Sequence, residues 1–410
     1  MKHRAVNGMA GVALLGLHLQ LADGVRGLNT VQMASEDGQS SDVHLTLCLT
    51  HDCNLRCRYC YAGRKSPRHM EMATGKLAIE TAARRARKRL HLIFFGGEPL
   101  LRWKTLVDLT QYAREVATAA GLALRPTVTS NGTLLRPERA RWLADNGFVT
   151  AISCDGCQSA HDANRVDGQG RGSHEQTVTG IRAALAAGLA VRVVLVVDPS
   201  NLAFLPQSAA FLVDLGVRDL VVNPNWSADW SAPGLREAWT NAYQCLADLY
   251  VNALRAGVPL WVSTIDGKIA THIRAGMIAR EHCDRGRRDL VVAPGGNLYP
   301  CDRMVGEDLD DKLVIGHIES GVDAKRLRLV AGDDDVVPAE CVNCAVAARC
   351  CNRCACANLA MTGAIAQPSE LLCFHEQLAI RVADKAAVTL VTERNDAFLK
   401  RHYPGSEMAI

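Results

Sequence analysis

Short apolar runs alternate with helix-like stretches from His44 onward. This alternation is typical of βα units, whose strands lie parallel in one sheet. Six apolar runs predict strands, at residues 44–50, 90–95, 125–129, 149–154, 190–197 and 219–222. Helices are predicted at residues 72–89, 104–120, 137–146, 175–187 and 202–215. We therefore predict an α/β fold, a partial (β/α)6 TIM barrel whose functional residues lie at the carboxyl ends of the strands.

Three cysteines follow the first predicted strand in the spacing C-x3-C-x2-C, at Cys53, Cys57 and Cys60, with Tyr59 before the last. A [4Fe–4S] cube has four irons, so three thiolates on one loop would hold it and leave one iron without a protein ligand. A structural zinc site, the alternative, closes its shell with four ligands. The spacing therefore favours a cluster that takes part in chemistry.

This motif resembles the signature of the radical S-adenosylmethionine (radical SAM) enzymes. The strand at residues 90–95 ends in Gly96-Gly97-Glu98-Pro99, which resembles the GGEP motif of the same family. The resemblance implies that SAM binds the open iron through its methionyl amine and carboxylate. It also implies that the reduced cluster cleaves SAM to a 5'-deoxyadenosyl radical, which removes hydrogen from an unactivated C–H bond.

The resemblance also implies SAM-binding residues at the strand ends. Glycines let the backbone approach a ligand, and a carboxylate pairs with an ammonium group. Polar side chains suit the ribose and the methionyl carboxylate, although each is equally suited to a turn or cap. An arginine could clamp a carboxylate or make a structural ion pair. The candidates are Gly96, Gly97, Glu98, Asn131, Ser153, Asp155 and Arg165.

The chain has 16 cysteines, and those from Cys283 onward resemble the seven-cysteine SPASM pattern, which implies two auxiliary [4Fe–4S] clusters. By this resemblance one cluster would use Cys341, Cys344, Cys350 and Cys373, and the other Cys283, Cys301 and Cys354. Some relatives carry an eighth cysteine shortly before the position of Cys283, but here the nearest upstream cysteine is Cys245. An open iron and a borrowed ligand both remain possible, and Cys351 and Cys356 could compete as ligands.

Asp302 directly follows Cys301. The resemblance extends to anaerobic sulfatase-maturing enzymes, in which an aspartate at this place is a proposed catalytic base. Such a base would take the proton that substrate oxidation releases. The Pro-Cys-Asp string also occurs in other SPASM proteins, so it does not by itself specify this role.

Five segments are predicted along the chain. They are an N-terminal extension at residues 1–42, a radical SAM barrel at 43–235, a connecting helical segment at 236–275, a SPASM domain at 276–375 and a C-terminal helix at 376–410. A basic stretch with Arg84, Arg85, Arg87, Lys88 and Arg89 is predicted to be a solvated helix face, with a docking face for an acidic peptide leader as the alternative.

The function implied is a radical SAM/SPASM maturase that oxidatively modifies, and crosslinks, side chains of a ribosomally made peptide (RiPP). One alternative is a sulfatase-maturing enzyme that forms formylglycine from Ser or Cys, and another is a non-catalytic iron–sulfur electron-transfer protein. The expected partners are a precursor peptide or protein and a flavodoxin- or ferredoxin-type reductant. No nucleic acid and no membrane are expected, since no apolar run reaches the length of a span. Oxygen-labile clusters favour the cytoplasm.

Overall fold

The computed structural model describes residues 40–278, 281–332 and 337–404. The predicted N-terminal extension lies outside these ranges, apart from its last three residues, which belong to the first strand. The strands are β1 (Ser40–Cys48), β2 (Ala86–Phe95), β3 (Ala123–Ser130), β4 (Val149–Ser153), β5 (Ala190–Val197), β6 (Asp219–Pro224), β7 (Trp261–Val262), β8 (Leu290–Val292), β9 (Asn297–Tyr299), β10 (Gly316–His317) and β11 (Gly321–Val322).

Helices follow most of the strands. They are α1 (Met72–Arg85), α2 (Trp103–Ala119), α3 (Pro137–Asp145), α4 (Gln158–Asp162), α5 (His174–Ala186), α6 (Leu205–Asp214), α7 (Leu235–Arg255), α8 (Ser263–Ile273), α9 (Ala324–Ala331), α10 (Ala355–Thr362), α11 (Glu370–Thr392) and α12 (Asp396–His402).

The strands form one sheet in the order β11-β10-β9-β8-β1-β2-β3-β4-β5-β6-β7. Strands β1 to β7 pair in parallel and in chain order, and β8 pairs in parallel with the other side of β1. Within the described ranges the sheet ends at β11 and β7 and does not close. The predicted α/β fold with a parallel, partial barrel is therefore confirmed, and the carboxyl ends of six consecutive strands meet at one rim.

The alternation of side chains along the strands explains the core. Leu45 and Leu47 of β1 and Leu92 of β2 are fully buried, and they share one apolar cluster with Ile79 of α1. Because successive side chains of a strand point to opposite faces, the residues between them face the other side of the sheet. Those residues are mostly half-buried, as the patterns of β3, β5 and β6 show.

Two element predictions are wrong. The helix predicted at residues 72–89 ends at Arg85, and the basic residues from Arg87 to Arg89 lie in β2. Arg89 there makes an ion pair with Asp42 of the neighbouring strand β1, at 2.6 Å between Nη2 and Oδ2. The apolar C-terminal stretch is also two helices, α11 and α12, and α11 begins at Glu370, before the boundary predicted at residue 376.

The cysteine-rich region continues the barrel sheet. Strand β8 lies in register with β1, and β9, β10 and β11 extend it as antiparallel strands. Helix α11 carries Cys373 and packs against α7 and α8. The cysteine-rich region is therefore attached to the barrel at its first strand, β1. No helix in the described ranges is long and apolar enough to cross a membrane.

Candidate active site at the carboxyl ends of the strands

The three cysteines of the C-x3-C-x2-C motif lie on the loop after β1. Cys53, Cys57 and Cys60 are each partly exposed, and none of them forms a disulfide. Burial raises the pKa of Cys53 to about 12 and also raises the pKa of Cys57. The Nζ atom of Lys65 lies 2.9 Å from Sγ of Cys60. Lys65 therefore brings a positive charge next to the third cysteine of the motif.

This cysteine loop is held in place by backbone hydrogen bonds to the segment that carries Arg165. The amide of Arg56 donates to the carbonyl oxygen of Val166 at 2.6 Å, and the amide of Arg58 donates to that of Asn164 at 2.9 Å. Loop and segment therefore form one unit, although they are more than one hundred residues apart in the chain.

The two glycines after β2 allow the cysteine loop to approach closely. A Cβ atom on Gly96 would lie 2.5 Å from the carbonyl oxygen of Thr50, and one on Gly97 would lie 2.0 Å from that of Asp52. The amide of Gly97 donates to Thr50 at 2.7 Å, and the amide of Glu98 donates to Asp52 at 2.8 Å. Glycine is therefore required at these two positions because the backbone of Thr50 and Asp52 lies too close for a side chain.

Glu98 is fully buried and ties two strand ends together. Its Oε1 accepts hydrogen bonds from the amide of Leu100 at 3.0 Å and from Oγ of Ser130 at 2.9 Å. Its Oε2 accepts from the amide of Asn131 at 2.8 Å. Burial raises the pKa of Glu98 to about 6, and these hydrogen bonds oppose the rise. Since a carboxylate has about four acceptor positions, one is left for a ligand.

Asn131 connects the end of β3 to the cysteine loop. Its Nδ2 lies 2.9 Å from Oδ1 of Asn54 and 3.8 Å from Sγ of Cys53. Its Oδ1 accepts hydrogen bonds from the amide and the hydroxyl of Thr133, at 3.0 and 2.7 Å. The amide side chain is therefore fixed beside the first cysteine of the motif.

Asp155 and Arg165 form a buried ion pair beside the loop. The Nε atom of Arg165 lies 3.1 Å from Oδ1 of Asp155, and both side chains are buried. Asp155 also accepts hydrogen bonds from the hydroxyl of Tyr59 and from the amide of Val196. Ser153, the last residue of β4, is partly exposed at the same rim.

The three C-terminal cysteines that the SPASM resemblance assigns to one cluster lie close together, and a fourth cysteine lies beside them. Cys283 and Cys301 pack against a small apolar cluster that also contacts Cys356. Cys354 lies at the start of α10, with its Sγ 3.7 Å from Sγ of Cys356. The structure thus brings together the three cysteines that the SPASM resemblance grouped, and adds Cys356 to them.

The second C-terminal group is also partly assembled. Burial, together with the nearby thiols of Cys341 and Cys344, raises the pKa of Cys373. Cys350 is buried, and burial and the carboxylate of Glu376 raise its pKa. Cys341, Cys344 and Cys373 thus lie near the first turn of α11, whereas Cys350 lies near Glu376, on the following turn.

Asp302 lies where the cysteine-rich region meets the cysteine loop. It accepts a hydrogen bond from the thiol of Cys301 at 3.1 Å. The guanidinium of the next residue, Arg303, lies 5.7 Å from the centre of the ring of Tyr61, which directly follows Cys60. Asp302 therefore lies beside Cys301 and near Tyr61, the residue that follows the first cysteine motif.

The donor sets fit iron–sulfur clusters by their chemistry. Soft thiolate ligands select zinc or iron–sulfur clusters, and all 16 cysteines are free thiols. Among the described residues, no three His, Cys, Asp or Glu side chains are arranged to share a single metal ion. That arrangement differs from the one for a cluster, in which the thiolates bind different irons.

Two residues of this site were not predicted from the sequence. Lys65 is not part of a sequence motif, and only the contact of its ammonium group with Cys60 identifies it as a residue of the site. Tyr59 was noticed as an aromatic residue within the motif, but its hydrogen bond to Asp155 depends on a contact between distant loops.

Residues 47–202 match the model of the radical SAM superfamily. The chain is 26% identical over 333 residues to the serine-type anaerobic sulfatase-maturating enzyme of Klebsiella aerogenes. The aligned region covers 74% of this chain and 76% of that protein.

Solved structures show the same fold. The structure of anSMEcpe with bound AdoMet and the Cp18Cys peptide has a TM-score of 0.72 at 18% identity, over 86% of this chain and 99% of that one. Streptococcus suis SuiB bound to the precursor peptide SuiA has a TM-score of 0.54 at 13% identity, over 82% of this chain and 76% of that one.

Proposed function

Because residues 47–202 form a radical SAM domain, we propose that this chain is a radical SAM enzyme that oxidatively modifies a side chain of a peptide or protein. The observation that carries the proposal is the position of Cys53, Cys57 and Cys60. These free thiols lie on the loop after β1, at the rim where the carboxyl ends of the parallel strands meet.

Cys53, Cys57 and Cys60 would hold a [4Fe–4S] cluster and leave one iron for SAM. When bound and reduced, this pair of cofactors supplies a carbon-centred radical that removes hydrogen from an unactivated C–H bond. The chain's own part is to fix the loop. The amides of Gly97 and Glu98 do this after β2, through their hydrogen bonds to Thr50 and Asp52, and the side chain of Asn131 does it after β3.

The remaining polar groups of the rim would hold SAM. Arg165 is the candidate for a carboxylate, because its guanidinium lies beside the cysteine loop, where Asp155 holds it at 3.1 Å. Glu98 has one acceptor position left for the ammonium, and its other three hydrogen bonds position Ser130 and Asn131. Gly96, Gly97, Ser153 and Asp155 complete the proposed set.

An oxidation needs a proton acceptor and an electron acceptor. Asp302 is the proposed base, because its carboxylate lies beside Cys301 and near Tyr61, which follows the first cysteine motif. The C-terminal cysteines would hold two auxiliary clusters in a SPASM-like domain at residues 276–375. This chemistry requires a reducing compartment such as the cytoplasm, and a flavodoxin- or ferredoxin-type reductant.

The primary proposal for the product is a crosslink in a ribosomally made peptide, because loss of a second electron from a substrate radical permits bond closure. The second candidate is formylglycine formation from Ser or Cys. It is favoured by the likeness to a sulfatase-maturating enzyme over 74% of this chain. SuiB, whose structure was solved with a precursor peptide, has the lower TM-score of 0.54.

The test uses the reconstituted holoenzyme with SAM, reductant and two peptides. One carries a sulfatase active-site motif with Ser or Cys, and the other is encoded by a short open reading frame beside the gene. A mass loss of two hydrogens with a new crosslink in the second peptide supports the primary proposal. Conversion of the first peptide to an aldehyde, with no change in the second, supports formylglycine formation instead.

A further inference from the structure

The first C-terminal cysteine group contains one more cysteine than the SPASM resemblance assigns to it. That resemblance supplies Cys283, Cys301 and Cys354, and leaves the fourth position of a cube empty. The extra cysteine, Cys356, is on the first turn of α10, two residues after Cys354.

The thiol of Cys356 contacts two members of the group. Its Sγ lies 3.7 Å from Sγ of Cys354, and it is also within hydrogen-bonding reach of the thiol of Cys301. Cys283, Cys301 and Cys356 pack against the same small apolar cluster. Cys283 in turn lies near Cys354, so the four thiols lie close together although they come from three separate segments of the chain.

The helix start explains why Cys354 and Cys356 can point the same way. Cys354 is the N-terminal cap, with extended backbone angles, and the helix begins at Ala355. Ala355 and Ala357 are both 1% exposed and anchor the turn in the core, whereas Cys354 and Cys356 are only partly buried. The two alanines thus fix the turn that presents both thiols.

The other unassigned cysteines nearby have different surroundings. The thiol of Cys351 lies 3.8 Å from Nζ of Lys268, and its amide donates to Glu376 at 2.6 Å. Cys48 is buried in the same apolar cluster, but burial and the carboxylates of Asp302 and Asp308 are what raise its pKa. Cys351 also lies near Cys354, but among the described residues neither Cys351 nor Cys48 makes the two thiol–thiol hydrogen bonds that Cys356 makes.

We propose that Cys356 is the fourth protein ligand of the iron–sulfur cluster held by Cys283, Cys301 and Cys354. The proposal rests on the auxiliary clusters of the proposed function. With four thiolates this cluster has no open iron, so it exchanges electrons and does not bind substrate. Only the cluster at Cys53, Cys57 and Cys60 then keeps an open position.

The first test removes the N-terminal cluster by changing Cys53, Cys57 and Cys60 to Ala, so that only C-terminal iron is observed. In this parent we expect the EPR spectrum of the reduced protein to be unchanged by added cyanide, which binds open irons. Cys356→Ala should either lose the iron of one cluster, about four atoms per chain, or give a spectrum that shifts with cyanide. Cys351→Ala and Cys48→Ala, the matched controls, should behave as the parent does.

The proposal is overturned if the parent spectrum already shifts with cyanide, or if Cys356→Ala leaves both the spectrum and the iron content unchanged. Loss of the iron in Cys48→Ala but not in Cys356→Ala would assign the ligand to Cys48. A parent without C-terminal iron would contradict the auxiliary clusters themselves.

A second measurement needs no variant. Iodoacetamide is added to the anaerobic holoenzyme and to the protein after removal of iron, and the modified cysteines are mapped by mass spectrometry. Cys356 should be protected only in the holoenzyme, together with Cys301 and Cys354, while the exposed Cys245 reacts in both. If Cys301 and Cys354 are protected and Cys356 is not, the ligand assignment fails and the cluster proposal stands.

Discussion

Gly97→Ala tests how the cysteine loop is held against the barrel. The new Cβ would lie 2.0 Å from the carbonyl oxygen of Asp52 and 2.6 Å from its carbonyl carbon. Non-bonded carbon contacts are optimal at about 3.5–4.0 Å, so loop and strand must separate by about 1–1.5 Å. The obstacle is backbone, and no side-chain rotation can relieve it.

This separation would break two hydrogen bonds. The amides of Gly97 and Glu98 donate to Thr50 and Asp52 at 2.7 and 2.8 Å, and 1 Å more takes both beyond hydrogen-bonding range. With about 1 kcal/mol for each bond and about 1–3 kcal/mol for the steric strain, we expect a loss of about 3–5 kcal/mol. The thermal midpoint should fall by about 3–6 °C.

The assay is anaerobic thermal unfolding of the iron-free chain, followed by iron content after reconstitution. Gly168→Ala is the matched control, because nothing lies within 4 Å of its added Cβ and its backbone is not left-handed. The control should change stability by less than about 0.5 kcal/mol. The steric reasoning is refuted if Gly97→Ala unfolds at the same temperature as Gly168→Ala and retains full iron.

Three further predictions concern charged groups. Lys268→Met should lower the free energy of unfolding by about 3–5 kcal/mol, because it removes the ammonium group that lies 2.6 Å from the buried carboxylate of Glu376. The double variant Lys268→Met/Glu376→Met should recover most of this loss, since it removes both charges. Urea unfolding measures the stability of both variants. Burial acts to raise the pKa of Glu376, but His375 and Lys268 lower it to about 2, below its ordinary value of 4.5. This stabilisation is therefore present above pH 4.5 and lost as the pH falls toward 2, so the deficit of Lys268→Met should shrink over that range in acid unfolding curves. Arg165→Lys should weaken SAM binding at least about tenfold while iron content is kept, because an ammonium lacks the two-pronged fork; equilibrium dialysis of the reconstituted enzyme checks this. Asp302→Asn should slow peptide modification while 5'-deoxyadenosine still forms, and equal loss of both would contradict its role as a base.

The parallel sheet could be predicted from the sequence because its signal is local. The bounds predicted for strand β5 are those of the structure, since only Arg192 interrupts its apolar run and a helix lies on either side. The basic stretch at Arg87 to Arg89 was placed on a helix because its apolar alternation begins only at Leu90. In the structure these residues belong to β2, because the strand begins at Ala86, where it pairs with β1, and Arg89 forms an ion pair with Asp42 of β1.

The candidate site was predicted in its residue types but not in its contacts. The glycines of Gly96-Gly97 were assigned to ligand approach, and the structure shows that they accommodate Thr50 and Asp52. Glu98 was assigned to the SAM ammonium, and three of its acceptor positions are used within the protein. Such contacts join segments tens of residues apart, and a spacing rule carries no information about them.

Cys356 illustrates the same limit in the cysteine-rich region. From the sequence, Cys351 and Cys356 were equivalent candidates for an extra ligand. The structure separates them, because Cys351 contacts Lys268 while Cys356 contacts Cys354. The distinction depends on where α10 begins.

The most direct measurement concerns the iron that the cysteine loop leaves without a protein ligand. SAM is added to the reconstituted enzyme reduced with dithionite, and the EPR spectrum and the 5'-deoxyadenosine formed are recorded, with Cys57→Ala as the control. We expect SAM to change the spectrum and to be cleaved by the unsubstituted enzyme, and neither to occur in the variant. An unchanged spectrum and intact SAM in the unsubstituted enzyme would contradict the proposed chemistry.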